Sequence, residues 1–345
     1  MFQIGKQKNE MANQMGRNYP IETVSAAAIG ENISGVTLLV VDTHRRNGVL
    51  DALYGLYAGT PVKVLYTKVG ADRIDVTIAK AEKGGMKSIV LCGEELIKPQ
   101  SILPQNRHYS AALVSAGSYR KENNILQYIL NDKSVTEFAH IGYQIYRYEP
   151  SIMQKFRARN FEELRLGSLR SEIILAEPLI RAKENIFMDL QSVRFGDLPD
   201  NTSLSPNGLY AEELCHIARY VGMAQKLKSV FIYGYLSKSK SITPSYNLVA
   251  EIIWHIAEAL SSNIFEDPAN TGREDSFLRK IVSMGDEGQD IVFITSPVTG
   301  RWWMEIPEIE AGGYRYIACS NSDYLTACSG EIPVRWLYFL QRINS

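Results

Sequence analysis

The chain has 345 residues, of which 45% are hydrophobic and 22% charged, a composition typical of a soluble globular protein with a large core. Its 37 basic and 38 acidic residues give a net charge of −1, so no overall field favours nucleic acid or anionic lipid. Residues 1–20 lack the apolar core of a signal peptide, and the longest apolar runs are too short to span a membrane. A cytoplasmic protein without a nucleic-acid partner or a membrane span is therefore expected.

Short apolar runs alternate with helix-like stretches over most of the chain, a pattern typical of an α/β sheet with crossover helices. Most of these runs are apolar throughout, as expected for parallel strands that are covered on both faces. The predicted strands are residues 36–41, 62–66, 88–91, 111–115, 138–141, 186–190 and 229–233.

Three stretches have apolar residues at helical spacing, namely residues 71–83, 209–221 and 246–261. The third is the clearest, because Val249, Ile252 and Ile256 lie on one wide apolar stripe. After residue 265 the pattern changes to shorter, partly alternating strands and one last helix. These elements are predicted at residues 291–295, 301–305, 314–318 and 336–341.

The segment 197–208 is rich in turn formers and is predicted to be a loop. It follows a predicted strand, and open α/β sheets bind ligands outside the carboxyl ends of their strands. Ser205, Asn207 and Gly208 are therefore candidate pocket residues, although a plain crossover loop has the same signature.

The cysteines and histidines form no recognisable metal motif. Four cysteines and five histidines are scattered along the chain, without C-x-x-C, H-x-H or H-E-x-x-H. Zinc ligation by cysteine therefore has no support, and a His-rich metal cage within one segment is excluded.

Four stretches resemble motifs of the arginase/ureohydrolase family, which includes agmatinase and formimidoylglutamase. They are KSIVLCGEEL at 87–96, AALVSAGSY at 111–119, NIFMDLQSV at 185–193 and LSPNGLYAEEL at 204–214. Their order and spacing match the family over residues 30–262. The whole chain is most similar to a Bacteroidota-type subgroup labelled formimidoylglutamase, with which it shares segments 205–208, 301–305 and 319–324.

The resemblance implies a three-layer α/β/α fold with a mainly parallel sheet, of the arginase/deacetylase type. It also implies a division of the chain into an N-terminal segment at 1–29, a ureohydrolase-like domain at 30–264 and a C-terminal extension at 265–345. The extension is expected to pack on the same domain.

The family's reaction is hydrolysis at an amidino or guanidino carbon by a water shared between two Mn²⁺ ions. Six side chains, two His and four Asp, hold those ions in the family. The matching positions here are Glu95, Ser115, Gly117, Tyr119, Asp189 and Gln191. The position of the family's catalytic acid is Gly234. Only Asp189 keeps the family's residue, so the resemblance implies a degenerate metal site.

Three interpretations follow. In the first, the protein is a catalytically inactive ureohydrolase relative without a cofactor, which binds a protein partner or forms a homo-oligomer. In the second, Glu95, Asp189 and Gln191 hold one weakly bound Mn²⁺ or Mg²⁺ for hydrolysis of an amidino or guanidino C–N bond. The third is a metal-free enzyme that uses an unrecognised residue.

Asp189 has a structural interpretation as well, because it could cap a helix or pair with Arg194. All six ligand positions are expected to cluster at the carboxyl ends of neighbouring parallel strands.

Overall fold

The computed structural model describes residues 21–29, 37–58, 62–104, 107–116, 125–200, 203–235, 241–269, 276–284, 290–308 and 312–343. Nine strands in these ranges form the main sheet, and every neighbouring pair in it runs parallel. They are β1 (Ile21–Thr23), β2 (Thr37–Asp42), β3 (Lys63–Lys68), β4 (Lys87–Gly93), β5 (Tyr109–Val114), β6 (Val135–Tyr143), β7 (Glu162–Arg165), β8 (Asn185–Asp189) and β9 (Ser229–Tyr233).

The strand order is β1-β3-β2-β4-β9-β8-β5-β6-β7. Strands β4, β9, β8 and β5 are therefore consecutive in the sheet although they are far apart in sequence. Because parallel strands end at the same edge, the segments after these four strands lie side by side. This arrangement brings most of the predicted ligand positions to one edge.

Helices cover both faces of the sheet. Side chains from α1 (Gly48–Leu53), α5 (Leu166–Ser171), α6 (Ala176–Arg181), α7 (Ala211–Gly222) and α8 (Pro244–Ser261) form one apolar core. Side chains from α2 (Ile74–Lys83), α3 (Ile125–Asn131) and α4 (Pro150–Ala158) form a second core on the opposite face. Within β2, Leu38 and Val40 enter the first core while Leu39 and Val41 enter the second.

The predicted α/β/α fold with a mainly parallel sheet is thus confirmed. Each of the seven predicted strands is present, with ends that shift by up to three residues. Among the described residues, no helix is both long and apolar enough to cross a membrane.

Three strands were missed because the sequence gives them a weak signal. β1 has three residues, and β10 (Leu278–Val282) exposes most of its side chains. β7 has the sequence EELR, yet Glu162 is buried there beside the buried ammonium of Lys183, 3.3 Å away. Paired charges rather than apolar side chains fill that edge of the sheet.

The C-terminal extension is a four-stranded antiparallel sheet, β10 to β13, followed by two helices. Its other elements are β11 (Ile291–Thr295), β12 (Trp302–Pro307), β13 (Tyr314–Cys319), α9 (Asn321–Cys328) and α10 (Val334–Ile343). Phe293, Met304, Trp336 and Phe339 belong to its own apolar core.

The extension is attached to the main domain through buried charges. Arg181, 2% exposed, donates to both Glu177 and the carbonyl of Trp302, and its guanidinium lies 4.7 Å from the ring of Trp303. Arg301 donates to the carbonyl of Ile264 at 2.8 Å. These contacts need both parts of the chain, so we expect the two to be energetically coupled.

Candidate functional site

Asp189 ends β8 and is 5% exposed. Its Oδ1 accepts a hydrogen bond from the backbone N–H of Gln191 at 2.9 Å, and its Oδ2 accepts from the hydroxyl of Ser115 at 3.2 Å. The first bond caps a single 3₁₀ turn, Leu190–Ser192. Both carboxylate oxygens are therefore used within the protein.

Ser115 follows β5 and is itself fixed by the backbone. Its N–H donates to the carbonyl of Ile141, and its own carbonyl lies 3.2 Å from Nε2 of His140. Tyr148 hydroxyl also contacts that nitrogen, at 3.0 Å. Complete burial lowers the pKa of His140 to about 3, so the ring is neutral near pH 7.

Gly234 follows β9 and faces Asp189. Its φ of +83° lies in the left-handed region, and its N–H donates to the carbonyl of Gly93 at 2.7 Å. A Cβ at this position would lie 2.4 Å from Oδ1 of Asp189 and 3.0 Å from the backbone nitrogen of Gln191. The structure therefore leaves no room for a side chain at Gly234.

The remaining ligand positions are less closely associated with Asp189. Glu95 lies in the turn after β4 and is exposed, whereas Gln191 is half-buried in the 3₁₀ turn. Gly117 and Tyr119 lie outside the described residues. Thus the ends of β4, β8, β9 and β5 carry Glu95, Asp189, Gly234 and Ser115 side by side.

The predicted pocket loop runs alongside this site. Arg147 contacts the hydroxyl of Ser205 and donates to the carbonyl of Asn207 at 3.3 Å. A Cβ on Gly208 would lie 2.3 Å from the carbonyl oxygen of Ser192, so only glycine allows this close approach. The loop is consequently held against the 3₁₀ turn that Asp189 caps.

Arg194 does not serve as the partner of Asp189. Its guanidinium pairs with Asp197 at 2.7 Å, and it lies over the ring of Tyr210 at 4.1 Å. Of the two structural roles considered for Asp189, its contacts support capping of a turn.

A second polar cluster at the same edge was not predicted. Asp42, at the end of β2, accepts from Tyr66 hydroxyl and from both the N–H and Nδ1 of His44. The ring of Tyr235 lies 6.2 Å from that of His44. The available signal was the Asp-Thr-His sequence directly after a predicted strand.

The described residues bring together few of the donors that two Mn²⁺ ions need. Two adjacent divalent ions need several carboxylates and imidazoles around them. Within the described ranges, no group of three or more His, Cys, Asp or Glu side chains has a geometry that could hold a metal.

Several solved structures share this fold. Formimidoylglutamase from Bacillus subtilis aligns with a TM-score of 0.57 at 12% identity, over 71% of this chain and 91% of that chain. Trypanosoma cruzi formiminoglutamase aligns with a TM-score of 0.56 at 10% identity, over 70% of this chain and 100% of that chain. An arginase-like protein from T. brucei gives a TM-score of 0.50 at 14% identity, over 68% and 90%.

The main domain therefore has an arginase-like α/β fold, with an extra antiparallel sheet at the C-terminal end. Within that fold, the structures it resembles include formimidoylglutamases, one of which, from T. cruzi, was solved with Mn²⁺. The sequence matches no protein-family model and no curated protein.

Proposed function

We propose that this protein is a ureohydrolase relative that has lost two-manganese hydrolysis and acts in the cytoplasm through binding, either to a protein partner or to further copies of itself. The observation that carries the proposal is the state of Asp189. Its carboxylate caps a turn and accepts from Ser115, and the position facing it is a glycine without room for an acid. The carboxylate therefore has a structural role.

The rim of this site supports a binding role. Tyr146 and Leu204 are 69% and 80% exposed, and Phe195 is 41% exposed. The backbone of Phe195 is bonded to the loop that carries Leu204, since the Phe195 N–H donates to the carbonyl of Ser205 at 2.8 Å. Large apolar side chains on a well-bonded loop are typical of a protein–protein interface.

Manganese titration of the full chain tests the loss of metal chemistry. Calorimetry and elemental analysis are expected to show no binding up to about 1 mM Mn²⁺. This concentration is the upper limit because millimolar affinity is the weakest that such titrations resolve. Asp189→Asn is the matched variant and is expected to give the same flat titration. Two tightly held ions would overturn the proposal, and a single ion lost in Asp189→Asn would favour the one-metal hydrolase instead.

The binding role is tested by solution mass. If copies associate through the rim, light scattering after size exclusion gives an oligomer, and Leu204→Asp shifts it towards monomer by placing a charge in the apolar contact. Leu325→Asp is the control, since Leu325 is 56% exposed on α9 and lies outside the rim. If the wild type and both variants are monomers, the proposed binding is to a protein partner. That partner would be sought by comparing the proteins captured by the wild type with those captured by Leu204→Asp.

A further inference from the structure

At one point in the main sheet, two neighbouring parallel strands connect onward to strands on opposite sides. β2 continues to β3 on one side, whereas the adjacent β4 continues to β5 on the other side. Such a point leaves a crevice between the two outgoing loops, and this is where open α/β sheets bind ligands. Here the two outgoing loops are residues 43–47 and 94–98, and the space between them is called the switch-point crevice below.

An acid–base pair stands at this crevice. His44 is 22% exposed at its side chain, and its Nδ1 lies 3.0 Å from Oδ1 of Asp42, whose side chain is 4% exposed. The same oxygen accepts from the N–H of His44 at 2.9 Å. A carboxylate that accepts from Nδ1 fixes the tautomer in which Nε2 carries the lone pair, as in histidines that act as general bases.

Neighbouring residues hold the pair in position. The hydroxyl of Tyr66 donates to Oδ2 of Asp42, and the ammonium of Lys68 lies 3.8 Å from that oxygen. Lys68 also donates to the carbonyls of Arg45 and Arg46 at 3.0 and 2.7 Å, which fixes the loop after His44. The carboxylate thus meets three donor side chains, those of His44, Tyr66 and Lys68.

Tyr235 provides a second observation. Its side chain is 1% exposed beside His44, and among the described residues its hydroxyl proton has no acceptor. Burial, followed by the charge of Asp42, raises the pKa of Tyr235 well above its usual value, so the hydroxyl keeps its proton. An unsatisfied donor next to a general base is the arrangement that stabilises a developing oxyanion.

We propose that Asp42 and His44 form a metal-free acid–base site that hydrolyses small acyl esters in the switch-point crevice. Nε2 of His44 removes a proton from a water molecule as that water's oxygen bonds to the ester carbonyl carbon. The carbon–oxygen bond to the alcohol then breaks, and Nε2 returns the proton to the leaving oxygen. The products are a carboxylic acid and an alcohol, and Asp42 keeps its hydrogen bond to Nδ1 throughout.

Esters are the ligand class that this chemistry favours. An ester carbonyl is electrophilic enough for attack by water with a general base alone, whereas the amidino carbon of the ureohydrolase reaction relies on metal-bound hydroxide. Asp42 and His44 lie at the end of β2, which β4 and β9 separate from β8 and its capped carboxylate, Asp189. The inference therefore goes beyond the proposed binding function and is independent of manganese.

The test is hydrolysis of p-nitrophenyl acetate by the full chain in the presence of EDTA. We expect saturable turnover whose kcat/KM falls about 100-fold in His44→Gln, the lower range for loss of a general base. Tyr235→Phe is expected to lower kcat at an unchanged KM. His216→Gln, on the exposed face of α7, is the control and should retain the wild-type rate.

Asp42→Asn is the second variant of the pair. It should retain the substrate KM and lose at least about tenfold in kcat, because the wrong tautomer of His44 is then stabilised. If its circular dichroism shows that it is unfolded, His44→Gln decides alone, since His44 is partly exposed. Wild-type hydrolysis no faster than that of His44→Gln, or an equal loss in His216→Gln, would overturn the proposal.

Discussion

His140 shows how burial in this sheet changes the pKa of an ionisable side chain. The ring is fully buried, and desolvation lowers its pKa from 6.5 to about 3. The unfolded chain therefore takes up a proton near pH 6.5 that the folded protein does not accept, so the stability contributed by neutral His140 is complete above pH 6.5 and is lost as the pH falls towards 3.

A prediction follows for pH-dependent stability. Urea denaturation between pH 7 and pH 4 should show an unfolding free energy that falls with acid, with a contribution from His140 of up to about 1.4 kcal/mol per pH unit. His140→Gln should have a shallower dependence, because its amide does not titrate. His216→Gln should keep the wild-type slope; an unchanged slope in His140→Gln would contradict the assignment.

The contact between Gly234 and Asp189 gives a second prediction. Gly234→Ala should reduce the free energy of unfolding by about 2–4 kcal/mol, since it combines a left-handed residue with displacement of a buried carboxylate. Gly300→Ala is matched for backbone, with φ of +69° and no atom within 4 Å of the added Cβ, and should cost only about 1 kcal/mol. Equal losses in urea titrations would mean that the carboxylate moves freely.

For single residues, the sequence predicts the position in the fold better than the side-chain contacts. The resemblance places Asp189 at a strand end and Gly234 at the neighbouring one, but the hydrogen bond from Ser115 to Asp189 depends on β5 and β8 being adjacent. Likewise, the pairing of His44 with Asp42 depends on the turn that follows β2. Neither contact is encoded in spacing along the chain.

Among the elements, long apolar ones are predictable and polar ones are not. α8 is recognisable because its apolar stripe is wide, and β9 because Val230, Phe231 and Ile232 are consecutive apolar residues. β7 is not, because Glu162 is stabilised there by Lys183 from a distant part of the chain. Such a strand has no local signal.

The packing of α7 against α8 gives a prediction at the element scale. Gly222 ends α7, and a Cβ on it would lie 2.4 Å from the carbonyl oxygen of Ile256 and 2.7 Å from Cβ of Ala259. Gly222→Ala should therefore lower the melting temperature, with a loss of about 1–3 kcal/mol from overpacking. The helices approach closely because glycine is at this position.

Gly167→Ala is the control for helix propensity. Gly167 lies within α5, and no atom lies within 4 Å of an added Cβ. The same substitution there should raise stability by about 0.5–1 kcal/mol. Stabilisation by both substitutions would show that α7 and α8 have room to separate.

For the whole molecule, the attachment of the extension determines whether the chain unfolds as one unit. Arg181→Met should cost about 3–5 kcal/mol, because it leaves the buried Glu177 without its closest partner. Arg315→Met, which removes an ion pair between Arg315, 56% exposed, and Glu308, should cost at most about 1 kcal/mol.

Tryptophan fluorescence and circular dichroism, followed during unfolding, distinguish unfolding of the extension alone from unfolding of the whole chain. Three of the four tryptophans, Trp302, Trp303 and Trp336, lie in the extension, whereas most helices that contribute to circular dichroism lie in the main domain. The unfolding transitions reported by tryptophan fluorescence and by circular dichroism should coincide in the wild type and separate in Arg181→Met. Coincident transitions in that variant would show that other contacts couple the two parts. The division of the chain at residues 264 and 265 stays a prediction until then.

The close approach of Gly234 to Asp189 also limits how this site can change by substitution. A glutamate at position 234 would displace the carboxylate before it could assist any reaction, and Asp189 cannot move without uncapping its turn. Under the proposed loss of metal chemistry, a single substitution at position 234 would therefore destabilise the protein before it returned an acid to the site. Selection would then act on whatever else this scaffold does.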